Sequence, residues 1–151
     1  MADELSDILK TIEADDLGRA LNGIGINILC PDPLSYAPAL SHVFDLKTIR
    51  LDGFFGLLSW KSIPDMSSLI QIHADSTYAS HPYHQFLGDT VMRGVGVELR
   101  LFEKNPDAAV ARAKQIEDYN IVQYATDKPH GMREAFILDP LGYCWVPSTP
   151  L

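Results

Sequence analysis

The sequence has 151 residues, 46% of them hydrophobic, with a formal net charge of −8 and a pI near 4.9. That length suits one domain or two small modules sharing a core, and folding can bury roughly two-thirds of the unfolded surface. The acidic balance argues against nucleic acid and anionic membrane partners, which need a basic patch, and no stretch approaches the roughly 20 apolar residues of a membrane span.

Residues 3–13 read as an amphipathic helix: Leu5, Ile8, Leu9 and Ile12 fall at i, i+3, i+4 and i+7 on one stripe, and Asp3 and Glu4 suit a helix N-terminus. A polar break at Glu13–Asp16 precedes a short turn at Leu17–Leu21, which Asn22-Gly23 ends. Ile24 to Cys30 alternates as a half-buried strand, stopped by Pro31-Asp32-Pro33. Ser35 to Phe44 reads as a helix, in which Pro38 is tolerable only near the first turn. Leu46–Leu51 and Phe54–Trp60 are strands joined at Asp52-Gly53, and Ser68–Ala74 is a fourth strand beyond the loop at Lys61–Ser67. Asp75–Gly94 is a long loop with His73, His81 and His84 nearby; loops of this length are usually functional or cover something.

The pattern then repeats. Val95–Glu103 is a strand, Asn105 and Pro106 are a good N-cap and first position for a helix to Tyr119, and strands follow at Ile121–Ala125, Arg133–Leu138 and Tyr143–Val146. The order βαβββ thus occurs twice, a duplication with a period of roughly 70 residues. The expected organisation is a helical extension over 1–22, module one over about 23–75, a connecting loop over 76–94 and module two over about 95–147.

The most informative stretch is DKPHGMREAFILDPLGYCWV, Asp127 to Val146. A glycine loop leads into Arg133-Glu134 and an apolar run, then a turn at Asp139-Pro140-Leu141-Gly142 and a second apolar run. Pro at the second turn position and Gly at the fourth suit a type I turn, so this is a β-hairpin. Gly131, Arg133, Asp139, Pro140 and Gly142, with the segment NPDAAVARA (Asn105–Ala113), resemble the vicinal oxygen chelate superfamily: glyoxalase I, bleomycin-resistance proteins and extradiol dioxygenases. The resemblance covers about residues 23–147. It implies an α+β fold of two βαβββ modules forming a curled open barrel, here with an extra N-terminal amphipathic helix, and commonly a homodimer. An apolar stripe on that helix must bury against something, a partner subunit or the cleft mouth.

In that family one face of each sheet lines a cleft. Period-2 alternation then puts Gly25, Asn27 and Leu29, Leu69, Gln71 and His73, and Glu98, Arg100 and Phe102 on the cleft face, with Val97, Leu99 and Leu101 packing inward. The family register adds Cys144 and Val146, with Tyr143 and Trp145 facing away. The family's metalloenzymes carry a ligating side chain on each of four strands; the matching positions are Gly25 or Asn27, Gln71, Glu98 or Arg100, and Val146. Gly and Val cannot ligate and Arg repels a cation, so no metal or other cofactor is expected; Gln71, His73 and Glu98 are weak candidates that would need a shifted register.

The cleft candidates are therefore Asn27, Trp60, Gln71, His73, Glu98, Arg100 and Phe102. Trp60 suits stacking on a planar ligand or packing at a strand end; Glu98 and Arg100, two apart, suit pairing or the two ends of a polar ligand. His73 as a general base needs a partner to set its tautomer, and none is visible in the sequence. His81 and His84 suit a solvated loop, Asp127–His130 a surface loop or a rim of the cleft, and Arg133 and Asp139 a structural role.

Three functions follow. The first is a metal-free, bleomycin-resistance-like protein that binds a small organic molecule, for which the acidic composition suits a cationic guest. The second is a metal-dependent lyase, isomerase or dioxygenase. The third is an interaction module whose cleft is filled by Phe54, Trp60 and Phe102. The N-terminus lacks the basic-then-apolar form of a signal peptide, and Cys30 and Cys144 sit in apolar runs as buried thiols, so a cytoplasmic protein is expected.

Overall fold

The computed structural model describes residues 2–88 and 92–151. The charge assigned to Asp3 and residues 89–91 of the long loop lie outside this description. The fold is α+β: two four-stranded mixed sheets, each with its own βαβββ element order. The chain divides into two compact units, residues 1–41 with 46–87 and residues 42–45 with 88–151. Among the described residues no helix is long and apolar enough to cross a membrane.

The first unit opens with α1 (Ala2–Thr11) and α2 (Ala14–Ala20). The second is a full helix where the sequence suggests only a turn. Its N-cap, Glu13, offers no side-chain bond, and only Leu17 is buried, so the apolar anchor rather than local capping holds it. Strand β1 (Ile26–Cys30) starts two residues later than expected, leaving Ile24 93% exposed. Helix α3 (Pro33–Phe44) starts two residues earlier, with the Asp32 carboxylate accepting from the Leu34 amide. Pro38 therefore lies in the second turn, beyond the first-turn position expected for it. Strands β2 (Lys47–Leu51), β3 (Phe55–Ser59) and β4 (Leu69–Ala74) complete the sheet in the order β1-β4-β3-β2, with β1 parallel to β4 and the rest antiparallel.

Register fixes the faces. One carries Ile28, Cys30, Leu58, Ile70 and Ile72, all buried, and Gly56, where an added Cβ would come within 3.0 Å of Leu51 and 3.3 Å of Ile72. The other carries Asn27, Leu29, Leu57, Leu69, Gln71 and His73. On this second face lie the N-terminal helices. Leu9 and Leu17 form one buried cluster with Ile49, Leu57 and Leu69, flanked by Leu5, Ile12, Leu21, Phe55 and Met66. The apolar stripe of α1 is thus covered by its own sheet and carries no argument for a partner subunit. Ile8, at the edge of the expected stripe, stays exposed. Beyond β4, two short 3-10 turns, Asp75–Tyr78 and Pro82–Phe86, order most of the expected long loop; in the second, His81 Nδ1 accepts from the Tyr83 amide.

In the second unit β5 (Glu98–Phe102), β6 (Asn120–Asp127), β7 (Met132–Leu138) and β8 (Cys144–Pro150) repeat the pattern in the order β5-β8-β7-β6, with β5 parallel to β8. β5 is shorter than expected because Gly94 and Gly96 take positive φ, and Val97, expected to pack inward, is 57% exposed. α4 (Pro106–Ala113) is capped by Asn105 Oδ1, buries Ala109, Val110 and Ala113, and ends six residues before Tyr119. The Asp139–Gly142 turn forms as read, Gly142 N donating to Asp139 O. The buried Asp139 carboxylate also accepts from the amides of Leu141 and Tyr143 and from Trp145 Nε1 at 2.9 Å. The Trp145 ring stacks on Phe44 at 5.4 Å, and Arg133 bridges to Asp107 of α4 and to Asp127.

Candidate functional site

In the first unit an open cleft of about 680 Å³ lies between the N-terminal helices and the sheet. Its helical wall is Lys10, Ala14, Leu17, Gly18 and Leu21; its floor is Arg50, Phe55, Gln71 and His73, with Leu51 and Asp52 at the turn. A bulge between Thr48 and Arg50 lets Ile49 join the core beneath α1 while Arg50 turns toward the cleft. A recess of about 110 Å³ adjoins it along residues 21–26, and Gln71 borders both.

The cleft floor is polar in a specific way. Arg50 donates from Nη1 to the Ile12 carbonyl at 2.9 Å and lies over the Phe55 ring at 4.9 Å, and among the described residues no carboxylate pairs with it. Phe55 meets the His73 ring edge-on at 5.2 Å; His73 in turn meets Tyr78 at 5.8 Å, and Tyr78 meets His81 at 5.0 Å. His73 Nε2 is buried without a hydrogen-bond partner, and burial holds its pKa below the ordinary imidazole value. Lys10 is paired to Asp7 at 2.8 Å, and Asp52 Oδ1 accepts from the amides of Phe54 and Phe55. Of the charged side chains lining this cleft, Lys10 is paired with Asp7, while among the described residues neither Arg50 nor Asp52 has an ion-pair partner.

Among the sequence candidates, Gln71 and His73 come together here. Asn27 is the register partner of Gln71 but is exposed and borders neither hollow; Trp60 lies past the end of β3 and borders neither as well. Arg50 and Phe55 were missed. Both lie on strands the sequence located, but the bulge that aims Arg50 leaves no mark in the residue pattern. The side chains expected to fill a cleft do not: Phe54 and Phe102 are mostly exposed, and Trp60 is half-buried.

In the second unit the register puts Glu98, Arg100, Phe102, Cys144, Val146 and Ser148 on one face; alternation suggested this for the three β5 residues and the family register for Cys144 and Val146. Glu98 and Arg100 pair at 3.3 Å, and Arg100 lies 5.7 Å from the Phe102 ring centre. The centre of this face is Glu134, which the sequence shows only as half of a charged pair leading into β7. Its side chain is 2% exposed, ion-paired with Arg100, 3.2 Å from His130 Nε2 and 3.4 Å from the Ser148 hydroxyl. Cys144 is half-buried, its thiol pKa raised by burial and by the charges of Glu98 and Asp139.

Neither a family model nor a curated protein matches the sequence. Solved structures do. A glyoxalase/bleomycin resistance protein/dioxygenase family enzyme from Burkholderia phytofirmans aligns over 83% of this chain and 96% of its own at 18% identity, TM-score 0.64. The chain has the glyoxalase/bleomycin-resistance/dioxygenase fold. A second protein with this fold, from Nocardioides, aligns over 99% of this chain and 92% of its own at 12% identity, TM-score 0.61, a span that takes in the N-terminal helices. A lactoylglutathione lyase from Agrobacterium tumefaciens aligns over 85% of this chain and 92% of its own at 14% identity, TM-score 0.55. This is the vicinal oxygen chelate architecture that the Asp127–Val146 segment resembles.

The fold's metalloenzymes imply a divalent ion, and the residues present do not fit one. On β1 and β4 the paired positions are the amides Asn27 and Gln71. On β5 and β8 Arg100 sits beside Val146, a cation beside a side chain with no donor atom. Glu98, one pair along, is beside Cys144 and bonded to Arg100. Among the described residues no three His, Cys, Asp or Glu side chains converge. A zinc-type catalytic or structural site needs three or four converging protein donors.

Proposed function

We propose that the protein is a metal-independent binding protein, a homodimer in solution, that holds a small organic molecule in the cleft of its first unit. The observation that carries this reading is the built cleft itself: its floor combines an aromatic ring, an amide, an imidazole and a guanidinium, the mixed apolar and polar lining typical of ligand pockets. The ill-matched donor set on β5 and β8 supports the metal-independent part.

Elemental analysis of protein purified without chelator, beside native mass spectrometry of the same sample, tests the reading. Substoichiometric zinc, nickel, iron and manganese and a dimeric mass are expected, with any retained organic mass identifying the guest. Stoichiometric metal that a chelator removes would overturn it and make a metal-dependent lyase, isomerase or dioxygenase the leading function.

A further inference from the structure

We infer that the guest of this cleft is a flat organic anion, its carboxylate or equivalent acid group held by Arg50, its ring laid against Phe55 and its polar edge bonded to His73. The inference rests on reading this cleft as the ligand site, and adds the chemical class that the site selects.

Three observations converge on it. Arg50 spends one donor on the Ile12 carbonyl and has others left, in a chain carrying an excess of carboxylates. A half-buried guanidinium that pairs with no carboxylate among the described residues, although Asp52 borders the same cleft, can offer a two-pronged fit to one supplied from outside. His73 borders the cleft, and its Nε2 is closed off from solvent with no hydrogen-bond partner, a cost that a guest relieves if it shifts the side chains covering that atom. The ring of Phe55 lies between the two, 4.9 Å from the guanidinium and 5.2 Å from the imidazole, so a planar group packed on it brings an acid group and a polar edge within reach of both. The low pKa of His73 keeps it neutral at pH 7, so it bonds the guest without adding charge.

The wall opposite is equally suited. Gly18 lies in the middle of α2 and borders the cleft, and a Cβ added there would meet nothing within 4 Å. Glycine inside a helix costs about 1 kcal/mol against alanine, so the open space is kept at the expense of helix stability.

The test uses three probes of one shape, 2-naphthoate, 2-naphthamide and 2-naphthylmethylammonium, titrated into the full chain by calorimetry with the His73 imidazole followed by NMR. Naphthoate should bind about tenfold more tightly than the amide, as a charge-assisted bond implies, and move the His73 resonance; the amine should bind least. Arg50→Met should erase the preference for naphthoate, and Arg50→Lys, which keeps the charge, should retain part of it. Gly18→Leu should block all three probes with the thermal midpoint unchanged or raised. Equal binding of amide and acid at His73, or stronger binding of the amine, overturns the anionic guest but leaves a binding protein. Naphthoate preference that survives Arg50→Met overturns the role of Arg50. If no probe moves His73, this inference and the cleft as ligand site both fall.

Discussion

Glu134 is the residue whose surroundings explain most about the second unit. A carboxylate this buried is costly without polar partners, and here Arg100, His130 and Ser148 contact it. Its neighbour Arg133 points to the opposite face and ties β7 to α4 through Asp107, where two bonds hold the Asp107 carboxyl below its usual range. The sequence showed the pair but not its division of labour, though the parity was there to read: Arg133 alternates onto the face of the buried Ala135 and Ile137, so Glu134 must share the face of Phe136. Removing one partner of a buried pair strands the other. Arg100→Met should therefore cost about 3–5 kcal/mol in urea unfolding, and Arg100→Met with Glu134→Leu should regain much of that loss. If the double variant is as unstable as the single, the pair contributes packing rather than charge compensation.

At the scale of elements, the N-terminal helices are the departure from a bare pair of βαβββ modules. The stripe of α1 was legible because four apolar residues at helical spacing need no tertiary information. That α2 is a helix was not, because Glu13–Asp16 and Gly18 argue locally against one and a single buried leucine decides it. Likewise β5 was drawn too long: Val95 and Val97 continue the alternation in sequence, but the positive φ of Gly94 and Gly96 turns the chain out of the sheet before them. The cover of α1 makes a direct prediction. Leu9→Ala opens a void over Leu57 and Leu69 and should cost about 2–5 kcal/mol. Ile8→Ala, one residue away on the exposed side, should change stability by no more than about 0.5 kcal/mol. Comparable losses from both would mean that the helix is held by something beyond its own sheet.

For the whole molecule, the repeat was legible because element order survives where residue identity does not, and the Asp139–Gly142 turn anchored it to a fold. The site was less so, since a bulge and a helix of weak propensity build its working wall, and both are tertiary outcomes. Charge acts at this scale too. With 20 acidic and 12 basic side chains, lowering the pH from 8 toward the pI reduces self-repulsion and by itself would stabilise the fold. His73 works against this. Its folded pKa is below that of an unfolded imidazole, so its neutral form is favoured in the native state; that stability is present above about pH 6.5 and is lost as the unfolded chain takes up the proton first. The ion-paired aspartates do not contribute to the loss in this window. Asp65, held by Lys61 and Ser67, titrates at about 2, and Asp7 and Asp107 are likewise lowered by Lys10 and Arg133. Thermal melts should therefore show stability falling from pH 7 to pH 5, and His73→Phe, which keeps the ring contacts with Phe55 and Tyr78, should flatten that fall or turn it into a rise. An unchanged slope in the variant would place the proton-linked cost elsewhere than in the cleft.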